Sequence, residues 1–447
     1  MLLALVFAIG SLSPEIAQKL VGGALTGGIA YERLQELTDS IGPRLSGSPG
    51  ADAAVQWALK KLAQDGLAAR REAVKVPHWV RGEETAEILA SPGLARYRLA
   101  ITALGNSVGG SASAEIVEAH SVAEVATLGA AARGKIVFFN HAMAAAGDYG
   151  KFVEMRSHGP SAAARVGAVA TLMRSLATAS FRSPHTGVTV YEADAPRIPA
   201  AAVSTEDADL LHRLLQRGPV RVRLSLGCRI LPDADSANVI GELRGRETPA
   251  EVVLIGAHLD SWDLAQGAND DGAGVAMVME AGRLIASLPQ RPRRTLRVVL
   301  FMNEENGLAG GKGYAAAHQA ELGRHVAALE ADSGAGRPLS VRLRTGDGGG
   351  SMLAPWLGAL ESLGIHLEDG DAGGADLGPL DPAQVPLVSV HPDVTHYFDI
   401  HHSAADTLDK IDPENLAMNA AAIAVVAYAL AEMPGTLPRP APRIRSN

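Results

Sequence analysis

The stretch RTLRVVLFMNEENGLAGG, residues 294–311, runs from an apolar strand directly into two adjacent carboxylates. Its first part has the near-continuous apolar pattern of a buried strand. Glu304 and Glu305 follow at once, and Asn306 and Gly307 come directly after them. Since neighbouring side chains of a strand point to opposite faces, the two carboxylates cannot easily have the same role. They are either two solvated loop charges or two groups with separate roles.

Strands of the same kind alternate with helices along the C-terminal half. EVVLIGAHLD (251–260) and HVAALEADSG (325–334) are predicted strands, and residues 271–288 and 309–323 are predicted helices. Near-continuous apolar strands that alternate with helices predict a largely parallel sheet buried on both faces. In such sheets, ligands bind beyond the carboxyl ends of the strands. The sequence therefore predicts an α/β fold with a mixed, largely parallel sheet flanked by helices.

The rest of the chain divides by composition. At 447 residues it is too long for one ordinary core, so two domains or one domain with an insertion are expected. Residues 14–66 have helical spacing interrupted by the turn GPRLSGSPG, and two strands follow. Residues 95–232 hold short β-rich pieces with much Ala and Gly, namely 134–140, 166–174 and 197–205. We predict an inserted β-rich domain at 95–232, between the N-terminal part (1–94) and the main part (233–447) of a larger domain.

Composition argues against several kinds of partner. The net charge is -9 and the sequence has no basic run, so no feature indicates a nucleic-acid partner. A small polar substrate is the better prediction. Cys228 is the only cysteine, which excludes an intramolecular disulfide, and we expect it to be a small buried residue. The apolar start, MLLALVFAIGSLS (1–13), is too short to span a bilayer and lacks a basic region. It is either a trimmed or misannotated secretory signal or an N-terminal helix, so no stable membrane insertion is expected.

Three of the predicted strands end in residues that can bind metals. His258 and Asp260 end the first, Glu304 and Glu305 the second, and Asp332 the third. Because the carboxyl ends of parallel strands meet at one edge of a sheet, these strands deliver imidazole and carboxylate groups to the same place. The set predicts a site at that edge.

Two further segments carry acids and histidines. Asp270 and Asp271 begin a predicted helix, where acids are also favoured simply as N-cap and first-turn residues. Glycines bracket the pair in a loop that returns toward the same edge of the sheet. Asp406 follows His402 at short range in HYFDIHHSAADTLDKIDPENL (396–416). A lone histidine is usually structural, but the other acids make His402 a candidate ligand.

Five strings, in this order, resemble the successive metal-site motifs of the di-zinc aminopeptidase and glutamate carboxypeptidase family: GAHLDSWD, QGANDDGAG, NEENG, EADSG and HHSAADTLD. The similarity is greatest to the plasma glutamate carboxypeptidase branch. Residues 41–67 resemble the opening helices of that branch, and the middle segment resembles the protease-associated domain inserted in these enzymes. The resemblance covers nearly the full chain and implies a zinc exopeptidase fold, with 1–94 and 233–447 as its catalytic domain.

The resemblance also implies a metal site with assigned ligands. It implies two zinc ions per chain, with His258 and Asp332 on one ion, Glu305 and His402 on the other, and Asp270 bridging both. Zinc accepts imidazole nitrogen and carboxylate oxygen, and paired metals about 3.5–4 Å apart can share a carboxylate and a hydroxide. The donor types therefore suit the metal.

Further roles follow from the same resemblance. Glu304 is the implied general base, Asp260 the group that orients His258, and the bond between Asp270 and Asp271 an implied cis peptide. Of the remaining residues of these motifs, we expect a supporting or substrate-contacting role for Asp406, and we expect the imidazole of His401 to point away from the site. Five other histidines are expected to be surface or packing residues: His78, His185, His318, His391 and His396. Of these, His185 lies in a loop that could reach over the site.

The predicted function is a co-catalytic di-zinc exopeptidase that hydrolyses dipeptides or short peptides through a metal-bridging hydroxide, with Glu304 as general base. Two alternatives remain: a non-peptidase amidase or aminoacylase on the same site, and a non-catalytic, receptor-like scaffold. The motifs do not decide between amino-terminal and carboxy-terminal cleavage. Asp376, in GDAGGADLGPLDPAQVP (370–386), belongs either to a pocket loop or to simple turns. The resemblance also implies a homodimer, and the apolar start, read as an atypical secretory signal, predicts a periplasmic or secreted location.

Overall fold

The computed structural model describes residues 11–179 and 181–443, and within them the strands form two eight-stranded sheets. Residues 1–10, which hold most of the apolar start, lie outside the described residues. The first described helix begins at Pro14, and the hydroxyl of Ser13 accepts a hydrogen bond from the N–H of Ile16 at 3.3 Å.

The helices occupy the following residues: α1 Pro14–Gly27, α2 Ala30–Ser40, α3 Pro49–Gln64, α4 Val122–Leu128, α5 Tyr149–Ser157, α6 Gly159–Arg165, α7 Thr205–Leu215, α8 Ala273–Ala286, α9 Ala309–Ala317, α10 Gly349–Leu353, α11 Gly358–Glu361, α12 Tyr397–Ile400 and α13 Pro413–Glu432. The strands occupy these: β1 Ala68–Val80, β2 Glu84–Ala90, β3 Tyr97–Leu99, β4 Ile101–Ala103, β5 Gly110–Ala119, β6 Ile136–Phe139, β7 Ala170–Arg174, β8 Ala200–Val203, β9 Arg221–Leu226, β10 Arg229–Leu243, β11 Thr248–His258, β12 Arg294–Phe301, β13 His325–Glu330, β14 Pro338–Arg344, β15 His366–Asp369 and β16 Leu387–Pro392.

Capping residues explain where several helices start. Ser48 accepts a hydrogen bond from the N–H of Ala51 at the start of α3, and Asp412 accepts from two backbone N–H groups at the start of α13. Both helices have proline at their first position, where the missing N–H costs nothing. These local signals fix the ends of the helices that cover the first sheet.

The first sheet has the order β1-β10-β12-β11-β13-β16-β14-β15, and its central strands β12, β11, β13 and β16 are parallel. On β11, Val253 and Ile255 pack into the core that contains α8 and α13, whereas Leu254 packs with Tyr314 of α9. The sheet is thus mixed and buried on both faces, which confirms the predicted α/β class. In register, His258 pairs with Phe301 and Gly256 with Glu330, so the segments after these strands leave the sheet at one edge.

The second sheet has the order β3-β2-β9-β5-β6-β7-β8-β4 and takes its strands from residues 84–226. It includes β2, which precedes residue 95. Two apolar cores cover it, one with Ile88, Leu172 and Leu224, and another with Phe139 and Met155. Cys228 is buried at the edge of the first of these cores, as expected, and burial raises the pKa of its thiol to about 11.

Helix α13 is apolar around its whole circumference. Among the described residues it alone has the length and hydropathy to cross a membrane, yet most of it is buried inside the fold. Its neighbours are α1, α8 and the first sheet. A helix that is apolar all round and enclosed by other elements is a core helix.

A buried arginine ties the N-terminal segment to the loop after β11. Arg44 has no exposed surface, and its guanidinium donates to the carbonyls of Leu259 (2.8 Å), Gln266 (2.6 Å) and Gly267 (2.9 Å). This loop leads from the end of β11 to Asp270. Because a guanidinium presents five donors in a rigid fork, one side chain can hold several carbonyls of a loop.

We expect Arg44→Met to lower the free energy of unfolding by about 3 kcal/mol, because it leaves several buried carbonyls without a donor. The measurement is urea unfolding followed by circular dichroism. Arg70→Met is the matched control, since its side chain is 42% exposed and its ion pair with Glu242 is 3.6 Å long. The control should change stability by less than about 0.5 kcal/mol. Equal effects of the two substitutions would contradict the anchoring role of Arg44.

Candidate metal centre and active site

Segments that follow three parallel strands bring the predicted residues together. His258 is the last residue of β11, Glu304 and Glu305 follow β12, and Asp332 follows β13. All five predicted metal ligands, which include Asp270 and His402 from other loops, meet at this edge of the sheet. The expectation from strand direction therefore agrees with the observed arrangement.

Asp270 lies at the centre of the cluster. Its Oδ1 is 3.1 Å from Nε2 of His258, and its Oδ2 is 3.3 Å from Nε2 of His402. His258 Nε2 is also 3.5 Å from Asp332 Oδ1, and His402 Nε2 is 3.0 Å from Glu305 Oε2. Each oxygen of the central carboxylate thus faces a different imidazole, and each imidazole faces a second carboxylate.

Two of these oxygens lack hydrogen-bond partners. Asp270 Oδ2 and Glu305 Oε2 are buried, and although His402 lies near both, neither contact has hydrogen-bond geometry. Buried carboxylate oxygens are normally satisfied by donors, so unpaired ones point to a missing partner. Imidazole nitrogens and carboxylate oxygens are donors that zinc accepts, and the cluster therefore fits a metal.

The expectation for His401 is wrong. Its Nε2 lies 3.5 Å from Asp270 Oδ2, and its ring stacks on that of His402 with 3.5 Å between the ring centres. Consecutive side chains alternate only in extended backbone, whereas His402 has a φ of 59° in a turn. The turn places both imidazoles on the same side of the chain.

Asp260 orients His258 by a different atom from the one expected. His258 Nδ1 is 3.0 Å from the backbone carbonyl of Asp260 and 3.9 Å from its carboxylate. The carboxylate instead accepts from the N–H groups of Asn303 (2.7 Å) and Glu304 (3.1 Å). The side chain of Asp260 therefore positions the turn after β12, because that turn offers backbone donors at shorter range.

The loop that carries Asp270 is held by two further acids. The peptide bond between Asp270 and Asp271 is cis, as implied by the resemblance. The carboxylate of Asp271 accepts from the N–H groups of His258 (3.0 Å) and Gly274 (3.1 Å), so both its oxygens are engaged by backbone. Asp406 accepts a hydrogen bond from the N–H of Asp270 at 3.1 Å. Of the two roles expected for Asp406, support of the site or contact with the substrate, this contact corresponds to support.

The adjacent glutamates differ in their contacts. Glu305 Oε1 accepts from the N–H of Trp262 at 3.2 Å, while Oε2 faces His402. The side chain of Glu304 makes no such contact within the described residues, and it lines the cavity beside the cluster. Burial raises the pKa of Glu304 well above its usual value; the charge of His258 opposes this shift, and that of Asp332 adds to it. The pair thus separates into one carboxylate within the cluster, Glu305, and one that lines the cavity, Glu304.

A cavity of about 830 Å³ opens beside the cluster. Residues from the segments of both sheets line it. The second segment contributes Asn106, Tyr149, Arg156, Val188, Thr189, Val190, Tyr191 and Arg197, and the loop before His401 contributes Val394, Tyr397 and Phe398. This volume suits a small organic ligand. None of these lining residues was singled out from the sequence, since each carries no local motif.

Other predicted positions lie outside the cluster. Asp376 is fully buried behind it and accepts from the N–H of Gly311 at 3.0 Å, so its loop forms turns rather than the wall of the large cavity. The N–H of Thr186, next to buried His185, donates to the carbonyl of His402 at 2.8 Å. The loop of His185 therefore reaches the site, whereas its imidazole lines no part of the cavity. Of the other histidines not assigned as ligands, His78 lines the cavity and His318 pairs with Glu72.

Comparison with known proteins gives one consistent family. The sequence profile described as Peptidase family M28 matches residues 238–427, which hold every predicted ligand. Carboxypeptidase Q of Mus musculus is 38% identical over 433 residues, which cover 95% of this chain and 91% of that protein.

Solved structures agree with this result. A Peptidase M28 precursor from Shewanella amazonensis SB2B is 40% identical and has a TM-score of 0.92, with 96% of this chain and 99% of that chain covered. A zinc aminopeptidase from Bacillus subtilis, 20% identical with a TM-score of 0.64 over 90% of this chain and 94% of that chain, shares the fold. The chain is therefore a metallopeptidase that belongs to peptidase family M28, which confirms the family predicted from its motifs.

Proposed function

We propose that this chain is a co-catalytic di-zinc exopeptidase that hydrolyses dipeptides or short peptides. One observation carries the proposal: the two oxygens of Asp270 face two different imidazoles, His258 at 3.1 Å and His402 at 3.3 Å. A shared carboxylate between two sets of donors is the arrangement that paired metals use. The relatives named carboxypeptidase Q support a peptide as the substrate.

The ligand assignment follows from the contacts around Asp270. We assign His258 and Asp332 to one zinc, His402 and Glu305 to the other, and Asp270 to both. Asp271 also lies near His258 and Asp332, but its oxygens already accept backbone N–H groups. Two zinc ions held by these residues would supply Lewis-acid chemistry: they would polarise the scissile carbonyl and lower the pKa of water toward about 7.

Glu304 acts as general base in this proposal. It lines the cavity and its carboxylate is free of the contacts that engage Glu305. The oxygen of water attacks the peptide carbonyl carbon while Glu304 takes the proton. The C–N bond then breaks, and Glu304 donates that proton to the leaving amine. Its raised pKa suits a group that must both accept and return a proton near neutral pH.

The predictions of an inserted domain, of the oligomeric state and of the cellular location also remain proposals. The separate sheet and cores of the middle segment support a protease-associated domain at about the predicted range, 95–232. We also propose a homodimer, which light scattering would test, and a periplasmic or secreted location, which fractionation of the producing cells would test. The amidase alternative uses the same groups and differs only in substrate.

Metal content tests the assignment. We expect about two zinc ions per chain after reconstitution and gel filtration, measured by inductively coupled plasma mass spectrometry. His402→Ala should lower the content to about one, because only one ion loses a ligand, and Asp270→Ala should lower it further. The control is His396→Ala, whose imidazole is 87% exposed. A wild-type protein that holds no zinc would rule out the mechanism.

Substitution of the base tests the chemistry. Glu304→Gln should keep its zinc yet lose about 10²–10⁴-fold in kcat on dipeptides, because the amide cannot accept the proton of water. Turnover is followed by mass spectrometry of the products, with Glu361→Gln on the exposed side of α11 as control. Unchanged turnover would remove Glu304 from this role. Zinc-loaded wild-type protein that cleaves only N-acyl amino acids and no dipeptide would favour the amidase alternative.

A further inference from the structure

Three buried polar side chains hold the turn between β12 and α9, the turn that carries Glu304 and Glu305. Asn303 has no exposed surface and a φ of 74°, a left-handed conformation that asparagine adopts more readily than most residues. Its Nδ2 donates to the hydroxyl of Ser46 at 2.7 Å and also to Oδ1 of Asn306. The hydroxyl of Ser46 in turn donates to the same Oδ1 at 2.9 Å. The three side chains therefore close a ring of hydrogen bonds that ties the turn to the N-terminal segment.

A second contact joins the same turn to the segment that forms the second sheet. Nδ2 of Asn306 donates to Oδ1 of Asn106 at 3.4 Å, and Nδ2 of Asn106 donates to the carbonyl of Asn306 at 3.4 Å. Asn106 is itself held in place, because the neighbouring Gly105 donates its N–H to the carbonyl of Gly187 and accepts from the N–H of Thr189. Both asparagines also line the cavity beside the candidate metal centre. Asn306 thus connects the turn to the N-terminal segment through its amide oxygen and to the second sheet's segment through its amide nitrogen.

The two glutamates of the turn depend on it to different degrees. The carboxylate of Glu305 has contacts of its own, with the N–H of Trp262 at 3.2 Å and with the imidazole of His402 at 3.0 Å. Among residues 11–179 and 181–443, the side chain of Glu304 has no hydrogen-bond or ion-pair partner. The backbone of the turn therefore decides where its carboxylate lies. A general base must lie within hydrogen-bond reach of the proton that it takes, so the placement of this backbone matters for the reaction.

We propose that Asn306 is a positioning residue for Glu304, and that Asn106 makes this positioning depend on the second sheet's segment. The inference rests on the proposed peptidase function. Asn306 holds the turn from two sides, through Ser46 and through Asn106. A misplacement of a reacting group by about 1 Å costs on the order of 10²-fold in rate. Loss of either asparagine therefore slows the chemical step without removing a metal ligand.

Two substitutions test this role with L-alanyl-L-alanine as the substrate. Asn306→Ala removes the contacts on both sides, and Asn106→Gly removes only the second amide, because glycine adopts the φ of 64° at this position without strain. We expect kcat to fall about 10- to 100-fold for Asn306→Ala and about 3- to 10-fold for Asn106→Gly. KM should change less than about twofold, and the zinc content should stay near about two ions per chain, because no donor is lost.

The double variant separates positioning from general destabilisation. It should have the kcat of Asn306→Ala alone, because the amide of Asn106 acts only through Asn306. Gln56→Ala, which removes an exposed amide on α3, is the control and should leave kcat unchanged. Unchanged kcat in the asparagine variants, effects that multiply in the double variant, loss of zinc, or a rise in KM alone would each overturn the proposal. If Asn306→Ala does not fold, kcat and KM of Asn106→Gly decide the question.

Hydrogen–deuterium exchange separates this inference from the proposed function. It is followed in the zinc-loaded protein with and without Asn106→Gly, in peptides that cover residues 302–310. We expect exchange there to be about tenfold faster in Asn106→Gly, because the turn loses its contact with the second sheet's segment, and unchanged in Gln56→Ala. A wild-type chain that binds zinc but cleaves no dipeptide would refute the peptidase function. In that case, faster exchange at 302–310 would still support the coupling of the turn to Asn106, and unchanged exchange would overturn it.

Discussion

The carboxylate of Asp270, placed between the imidazoles of His258 and His402, is the interaction on which the rest of the site depends. The loop that carries it is held from several sides. Asp406 accepts its backbone N–H, and Arg44 binds the carbonyls of the preceding residues. A loop with so many engaged backbone groups has little freedom, which is what a site with fixed donor positions requires.

Charge explains why the site needs a cation. Carboxylates and imidazoles are packed together and are mostly buried, and burial raises the pKa of Glu305 and of Asp406 to about 7 in each case. Several like charges in a buried cluster repel one another, and the desolvation of each adds to the cost. A bound divalent ion would be the largest local charge and would reverse this balance, so metal binding and the ionised state of the acids support each other.

The segments of the two sheets contribute different parts of the candidate site. The first sheet presents the candidate ligands at its strand ends, and the segment of the second sheet supplies part of the cavity wall. The contacts that join them include Thr186 N–H to the carbonyl of His402 at 2.8 Å and the hydroxyl of Thr178 to Asp399 at 2.7 Å. The candidate ligands and part of the cavity wall therefore come from different elements of the chain.

The sequence by itself determined the fold class and which donors gather at one sheet edge, because parallel strands carry the residues after them, such as His258 and Asp332, in one direction. It also anticipated that Glu304 and Glu305 differ in their contacts. The tertiary structure alone decided that His401 faces Asp270, since the turn at His402 removes the alternation of extended chain. It likewise placed Arg156 in the cavity, because that position depends on contacts between segments far apart in the chain, for which no local pattern exists.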